Sequence, residues 1–232
     1  MFAGSTIVFD LDGTLIDTAP DLTGALNHVL TSEGRDTVPE ADVRHMVGQG
    51  ALMLIRRGMA ATGAPVSEAD LPRLLAAFLE YYGQNIAVRS ALFPQVREVL
   101  DFLREQKAIL AVCTNKPRAL SVPLFEALAL ADYFPVIVGG DCLPTRKPDP
   151  AHLLTTIARA GGSPERAVMI GDSFADIDAA KAASIPSVAV SFGYSSKPVT
   201  ELGADRIIDN FAHLPQTVGE LLSMPPSTAI QS

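Results

Sequence analysis

Short, unbroken apolar runs alternate with amphipathic stretches along most of the chain. Ile7-Val8-Phe9 is β-branched or aromatic throughout and too short for a solvated amphipathic helix, so it reads as a strand buried in a parallel sheet. From about Ala108 the alternation becomes regular. Ala108-Ile109-Leu110-Ala111-Val112-Cys113 ends at Thr114-Asn115, and Val136-Ile137-Val138 ends at Gly139-Gly140. Ala167-Val168-Met169-Ile170 ends at Gly171-Asp172, Ser187-Val188-Ala189-Val190 ends near Gly193, and a weaker run, Arg206-Ile207-Ile208, comes last. Helical patterns fill 116–130, 150–160 and 174–183 between them. Strand–helix alternation of this kind predicts an α/β fold with a doubly wound parallel sheet.

The stretch after the first strand carries a different pattern. Leu22, Leu26, Val29 and Leu30 recur at helical spacing and are closed by Gly34. Further helical patterns cover 40–47, 51–61 and 68–82, the last opened by Ser67 as an N-cap. No strand pattern interrupts them. The reading is an all-helical unit inserted into the sheet domain, entering near Asp17 and leaving near Val88–Leu92. It divides the chain into a core of 1–16 with 88–232 and an inserted segment of 17–87.

Composition narrows the function classes. The chain has 232 residues, of which 48% are hydrophobic, enough for a sizeable core. Lys and Arg total 18 against 26 Asp and Glu, a net charge of −8 that disfavours a nucleic-acid groove. Cys113 and Cys142 have no framework spacing, and Cys113 reads as a small buried hydrophobe. The four histidines are scattered without ligand spacing, which makes a zinc site improbable. No basic and apolar leader opens the chain and no apolar stretch reaches membrane-spanning length, so the expectation is a soluble cytoplasmic protein, a monomer or small homo-oligomer, with no membrane partner. Met224-Pro225-Pro226-Ser227-Thr228 reads as a frayed tail.

The chemistry gathers at the strand ends, where open α/β sheets place their ligands. Asp10 and Asp12 follow the first strand, and period-two alternation puts them on one face. Two like charges so close are costly unless a cation or a shared proton offsets them, so the pair predicts a metal, a nucleophile, or both. Gly13 lets the chain turn sharply before Thr14. Thr114-Asn115 ends another strand beside a helix start at which free N–H groups can hold a phosphate, and Asn115 either caps that helix or touches substrate. In Lys147-Pro148-Asp149-Pro150, Pro148 keeps Lys147 extended, Asp149 can cap and Pro150 can start the helix. Gly171-Asp172-Ser173-Phe174-Ala175-Asp176 supplies a strand-end carboxylate with another four residues on; Ser173 and Asp176 also have capping-box spacing.

Asp10-x-Asp12-Gly13-Thr14, Thr114, Lys147-Pro148 and Gly171-Asp172-x-x-x-Asp176 resemble the haloacid dehalogenase superfamily in order and spacing, and the helical insertion resembles its C1-capped members. Asp17-Thr18-Ala19-Pro20-Asp21-Leu22, Val47-Gly48-Gln49-Gly50, Thr114-Asn115-Lys116-Pro117 and Gly139-Gly140-Asp141 further resemble the bacterial phosphoglycolate phosphatases, across the chain to about Leu222. The resemblance implies a Rossmann-like core and an Mg²⁺-dependent phosphatase. In it Asp10 attacks phosphorus and forms an aspartyl-phosphate, and Asp12 shuttles the proton. It also implies one Mg²⁺ on the Asp10 carboxylate, the Asp12 main-chain carbonyl and the Asp172 carboxylate. Gly13, Thr14, Thr114, Asn115 and Lys147 would surround the phosphoryl group or the substrate, with Ser173 and Asp176 in support.

The implied substrate is a small anionic phosphate ester, most simply 2-phosphoglycolate. Gly48-Gln49-Gly50 allows a tight turn toward the core, and Arg56, with Arg57 and Arg44 as companions, is the candidate clamp for a substrate carboxylate; a solvated helix face is the other reading of each. Alternatives are a phosphatase of sugar phosphates or nucleotides, a phosphomutase resembling β-phosphoglucomutase, and a non-catalytic phosphate-binding protein on the same fold. The first lysine in the chain is Lys107, so the insertion has none, against a cap lysine in such mutases and in phosphonoacetaldehyde hydrolase. Asp12 argues against a haloalkanoic acid dehalogenase, whose halide leaves unprotonated.

Overall fold

The computed structural model describes residues 2–223, so the C-terminal segment beginning Met224-Pro225 lies outside the described residues. In chain order the elements are β1 (Thr6–Phe9), β2 (Ile16–Asp17), α1 (Ala19–Ser32), α2 (Glu40–Arg44), α3 (Ala51–Ala61), α4 (Leu71–Gln84) and β3 (Ala91–Leu92). They continue with α5 (Val96–Glu105), β4 (Ile109–Cys113), α6 (Arg118–Ala127), β5 (Val136–Val138), α7 (Pro150–Arg159), β6 (Ala167–Gly171), α8 (Phe174–Ala182), β7 (Ser187–Val190), β8 (Arg206–Ile208) and α9 (Leu214–Ser223).

Six strands form one parallel sheet in the order β5-β4-β1-β6-β7-β8. The chain leaves β1, builds outward through β4 and β5, then returns to β6 and builds the other way. β1 is therefore the switch point, flanked by the two strands whose ends carry Thr114 and Asp172. Alternation along β1 divides the core: Ile7 and Phe9 pack with α5, α6 and α9 on one face, whereas Val8 packs with Cys113, Met169 and α7 on the other. Strands buried on both faces explain why the apolar runs are unbroken.

Helices α1 to α4 bury a core of their own, centred on Leu26, Leu30, Ile55, Phe78 and Tyr82. They join the sheet domain through an antiparallel ribbon, β2 paired with β3, which two-residue strands do not announce in a sequence pattern. Asp21 anchors this junction: its buried carboxylate accepts the backbone N–H groups of Arg89 and Ser90 and the Ser90 hydroxyl. Gly34, at φ 68°, follows the C-terminus of α1 as expected. Ser67 does not cap α4. The helix begins at Leu71 because Pro72 belongs in a first turn, and Ser67 instead closes the preceding turn onto Asp70. Two further elements, α5 and α9, complete the face that carries Phe9; the buried positions Val96, Val99, Leu100 and Leu103 of α5 do recur at helical spacing. Among the described residues no helix is long and apolar enough to cross a membrane.

Candidate active site

Asp10 is the first residue beyond β1, still tied to the sheet by its N–H on the Ile170 carbonyl at 2.9 Å. The chain then turns, with the Gly13 N–H on the Ile16 carbonyl. Gly13 adopts φ 84°, and a Cβ there would stand 2.4 Å from Asp172 Oδ2, so both conformation and space exclude a side chain. Asp10 and Asp12 face one pocket, although the ladder of β1 stops at Phe9.

Behind that pocket lies a buried charged cluster. Lys147 Nζ sits 2.9 Å from Asp10 Oδ1 and 2.5 Å from Asp176 Oδ1. It is delivered by the loop before α7, where Asp149 accepts the Ala151 N–H and Pro150 opens the helix. Asp172 follows β6 directly; its two oxygens accept the Thr14 hydroxyl at 3.2 Å and the Tyr194 N–H at 2.6 Å. Asp176 Oδ2 accepts the N–H and the hydroxyl of Ser173, forming the capping box of α8, while its other oxygen holds Lys147. Asp176 thus caps α8 with one oxygen and holds Lys147 with the other.

Oxygens of Asp10, Asp172 and Asp176 all lie within 4.8 Å of one another. Three carboxylates against one ammonium leave an excess of negative charge out of water. Burial, then the Asp176 charge, push the Asp10 carboxyl up to about 6 against the pull of Lys147. Burial first, with Asp176 and Asp10 next, raises Asp172 well above the usual carboxylate range. Burial disfavours the Lys147 ammonium, but Asp10 and Asp176 more than offset it and hold the charge. A hard dication with oxygen ligands fits this cluster, because three buried carboxylates face a single ammonium and the dication supplies the missing positive charge.

From the same pocket Asp12 is turned toward the helical unit. Its carboxylate accepts the Thr18 hydroxyl at 2.7 Å and Lys116 Nζ at 3.0 and 3.3 Å. Lys116 Nζ also donates to the Tyr82 hydroxyl at 2.8 Å and lies 4.4 Å from the centroid of that ring. Burial works against this ammonium, and Asp12 and Tyr82 outweigh it, so Lys116 is raised and charged. In the sequence Lys116 stands within Thr114-Asn115-Lys116-Pro117 with no role assigned to it, and Tyr82 only closes the helical pattern of 68–82. The signal was present for Lys116, which shares a strand end with Thr114 and is stiffened by Pro117.

Thr114 is buried; its oxygen accepts the Lys116 N–H, leaving its own proton to donate. Asn115 Nδ2 donates to the carbonyls of Lys147 and Gly48 and so ties the lysine loop to the helical unit. Gly140 packs its Cα against the backbone of Asn115, where a Cβ would come within 2.4 Å, and Asp141 accepts the Arg118 N–H at the start of α6.

The structure does not bring Arg56 to the pocket. Its guanidinium makes a two-pronged pair with Glu68 at 2.6 and 2.7 Å on the exposed side of the helical unit. α3 turns Leu54 to the pocket, and a residue two positions on points away from it. Arg57 donates to the Met46 carbonyl, and Arg44 pairs with Asp17 and Glu40 over the Tyr194 ring.

Comparison with known proteins agrees with this geometry. The family model of haloacid dehalogenase-like hydrolases matches residues 7–190. A phosphoglycolate phosphatase of Caulobacter vibrioides is 48% identical over 97% of this chain and 94% of its own length. One from Mesorhizobium japonicum is 47% identical over 93% and 95%. The crystal structure of a predicted phosphoglycolate phosphatase from Haemophilus somnus superposes with a TM-score of 0.86 at 33% identity, covering 92% of this chain and 97% of that one. With the strand-end carboxylates, the buried lysine and these relatives together, the chain belongs to the haloacid dehalogenase-like hydrolases and is a phosphoric monoester hydrolase.

Proposed function

We propose that the protein hydrolyses 2-phosphoglycolate to glycolate and phosphate through an aspartyl-phosphate on Asp10, with Mg²⁺ as cofactor. The observation that carries the reading is the division of labour between the two strand-end carboxylates. Asp10 is set among Lys147, Asp172 and Asp176, where a phosphoryl group can be neutralised. Asp12 is turned to the pocket, where a leaving alcohol must depart.

Asp10 attacks phosphorus through a carboxylate oxygen while Lys147 and the Thr114 hydroxyl hold the phosphoryl oxygens as their charge redistributes. Asp12 gives its proton to the departing alkoxide, then takes one from the water that attacks the acyl phosphate, returning both carboxylates to their starting state. Asp176 keeps Lys147 aimed, and Thr14 with the Tyr194 N–H keeps Asp172 oriented. The Asp10 and Asp172 carboxylates and the Asp12 main-chain carbonyl would hold Mg²⁺, which would supply charge neutralisation for the phosphoryl group. The names of the two bacterial relatives support phosphoglycolate as the substrate.

Phosphate release tests the reading. With Mg²⁺, kcat/KM for 2-phosphoglycolate should exceed that for sugar phosphates and nucleoside monophosphates, and Asp10→Asn should lower it by at least about 10³-fold. Equal rates in wild type and Asp10→Asn would remove the nucleophile, and a flat profile across esters would remove the substrate.

A further inference from the structure

The pocket between the sheet domain and the helical unit has an uneven wall. The helical side is apolar, with Leu22, Val47, Leu54 and Phe78, and Lys116 is the one cationic side chain among its lining residues. The arginines of the helical unit nearest in sequence to the pocket are committed elsewhere, to Glu68, to Asp17 and to the Met46 carbonyl. A second anionic group on the substrate, distinct from the phosphoryl group, therefore meets one positive charge among the lining residues, the Arg146 guanidinium standing beside Gly50 at the edge.

That charge is placed for a short acid. Lys116 Nζ lies 3.0 Å from Asp12, the group facing the leaving oxygen, and in a phosphorylated 2-hydroxy acid a single carbon separates that oxygen from the carboxylate. An ammonium has three donors. The two Asp12 oxygens, at 3.0 and 3.3 Å, share one and the Tyr82 oxygen takes a second, which leaves the third for a ligand. The Tyr82 hydroxyl accepts from Lys116 and has no acceptor for its own proton among the described residues. Burial, the largest influence, pushes that phenol up to about 12, so it stays a donor. Lys116 comes from the loop after β4 and Tyr82 from α4, so the two donors meet only when helical unit and core are together.

We propose that Lys116 and the Tyr82 hydroxyl form the seat of the substrate's carboxylate and set the preference for a phosphorylated short-chain acid. The proposal rests on the reading of the protein as a phosphatase for such an acid. A lysine from the core takes the place that the lysine-free helical unit leaves open.

The test compares kcat/KM for 2-phosphoglycolate with that for 2-hydroxyethyl phosphate, an analogue of similar size with a neutral hydroxymethyl group in place of the carboxylate, within each variant. The ratio cancels damage common to both substrates, and turnover of the hydroxyethyl ester reports that the variant is folded. In wild type the ratio is large. In Lys116→Gln it falls about 100-fold, the loss expected of a buried charge-assisted contact. Lys116→Arg, which keeps the charge, retains part of the ratio, and Tyr82→Phe lowers it roughly 10-fold. A wild-type ratio near one overturns the acid-substrate reading and this seat with it. A large ratio that survives Lys116→Gln overturns the seat alone, as does an equal loss for both esters with a shifted pH profile, which would make Lys116 a positioning residue acting through Asp12.

Discussion

Asp10 stands where the fold disfavours its charge, and that has a measurable consequence. Its carboxyl is raised from 3.8 to about 6, with burial as the main cause. An acid raised in the folded state binds protons there before the unfolded chain does, so its cost is fully present above about pH 6 and vanishes below about pH 4. In EDTA, Asp10→Asn should therefore be more stable than wild type at pH 7, by on the order of 3 kcal/mol, with the gap closing as the pH falls toward 4. Excess Mg²⁺ should reverse the order at pH 7, because a ligand held by the Asp10 carboxylate stabilises the state that binds it. Thermal denaturation of both proteins, with and without the metal, reads all of these; a gap independent of pH would show that Asp10 is not held against its charge. At the same scale, Asp176 shows how little separates a structural from a chemical residue. One of its oxygens caps a helix and the other aims a lysine, and a spacing pattern cannot apportion the two.

Among the elements, the short ribbon of β2 and β3 matters beyond its length. It fixes where the helical unit departs and returns, and Asp21, in the first turn of α1, clasps both backbone N–H groups just before β3. Replacing it by Ala leaves those donors, the Ser90 N–H buried, unpaired. Asp21→Ala should cost about 1–3 kcal/mol of stability, measured by denaturant unfolding, and should quicken cleavage after Arg89. A variant with unchanged midpoint and cleavage rate would remove Asp21 as the clasp. The ribbon was invisible in the pattern because two residues carry no period, whereas the three-residue strands β5 and β8 were legible as β-rich runs between helical patterns. Arg56 failed at this scale too. Its residue type suited a carboxylate clamp, but helical phase directs it to Glu68.

Across the whole molecule, the pocket belongs to neither half. Core residues supply Asp10, Asp12, Thr114 and Lys116, and the helical unit supplies Leu54, Phe78 and Tyr82. Only the two chain crossings near Asp17 and Arg89 connect the halves covalently. The proposed phosphorylated aspartate would need water excluded during its formation and admitted for its breakdown, which a hinged helical unit would provide. Mg²⁺ with a phosphate analogue such as vanadate should slow tryptic cleavage after the exposed Arg89 several-fold by favouring the closed arrangement. A rate indifferent to the analogue would mean that the halves do not move on binding.

By itself the sequence determined the parallel sheet, the helical insertion and the order of the charged clusters at the strand ends. Those features arise from local causes: apolar runs that must be buried on both faces, helical phase, and turn residues at fixed positions. Tertiary structure alone decided which charges meet. Asp12 lies 104 positions from Lys116, and Tyr82 lies 34 positions from it, so no spacing rule links them. Only the docking of α4 against the loop after β4 brings a lysine, a phenol and a carboxylate to one point. Strand-end chemistry is written in short stretches of chain, and the meeting of Asp12, Lys116 and Tyr82 is written in the contact between two folded bodies.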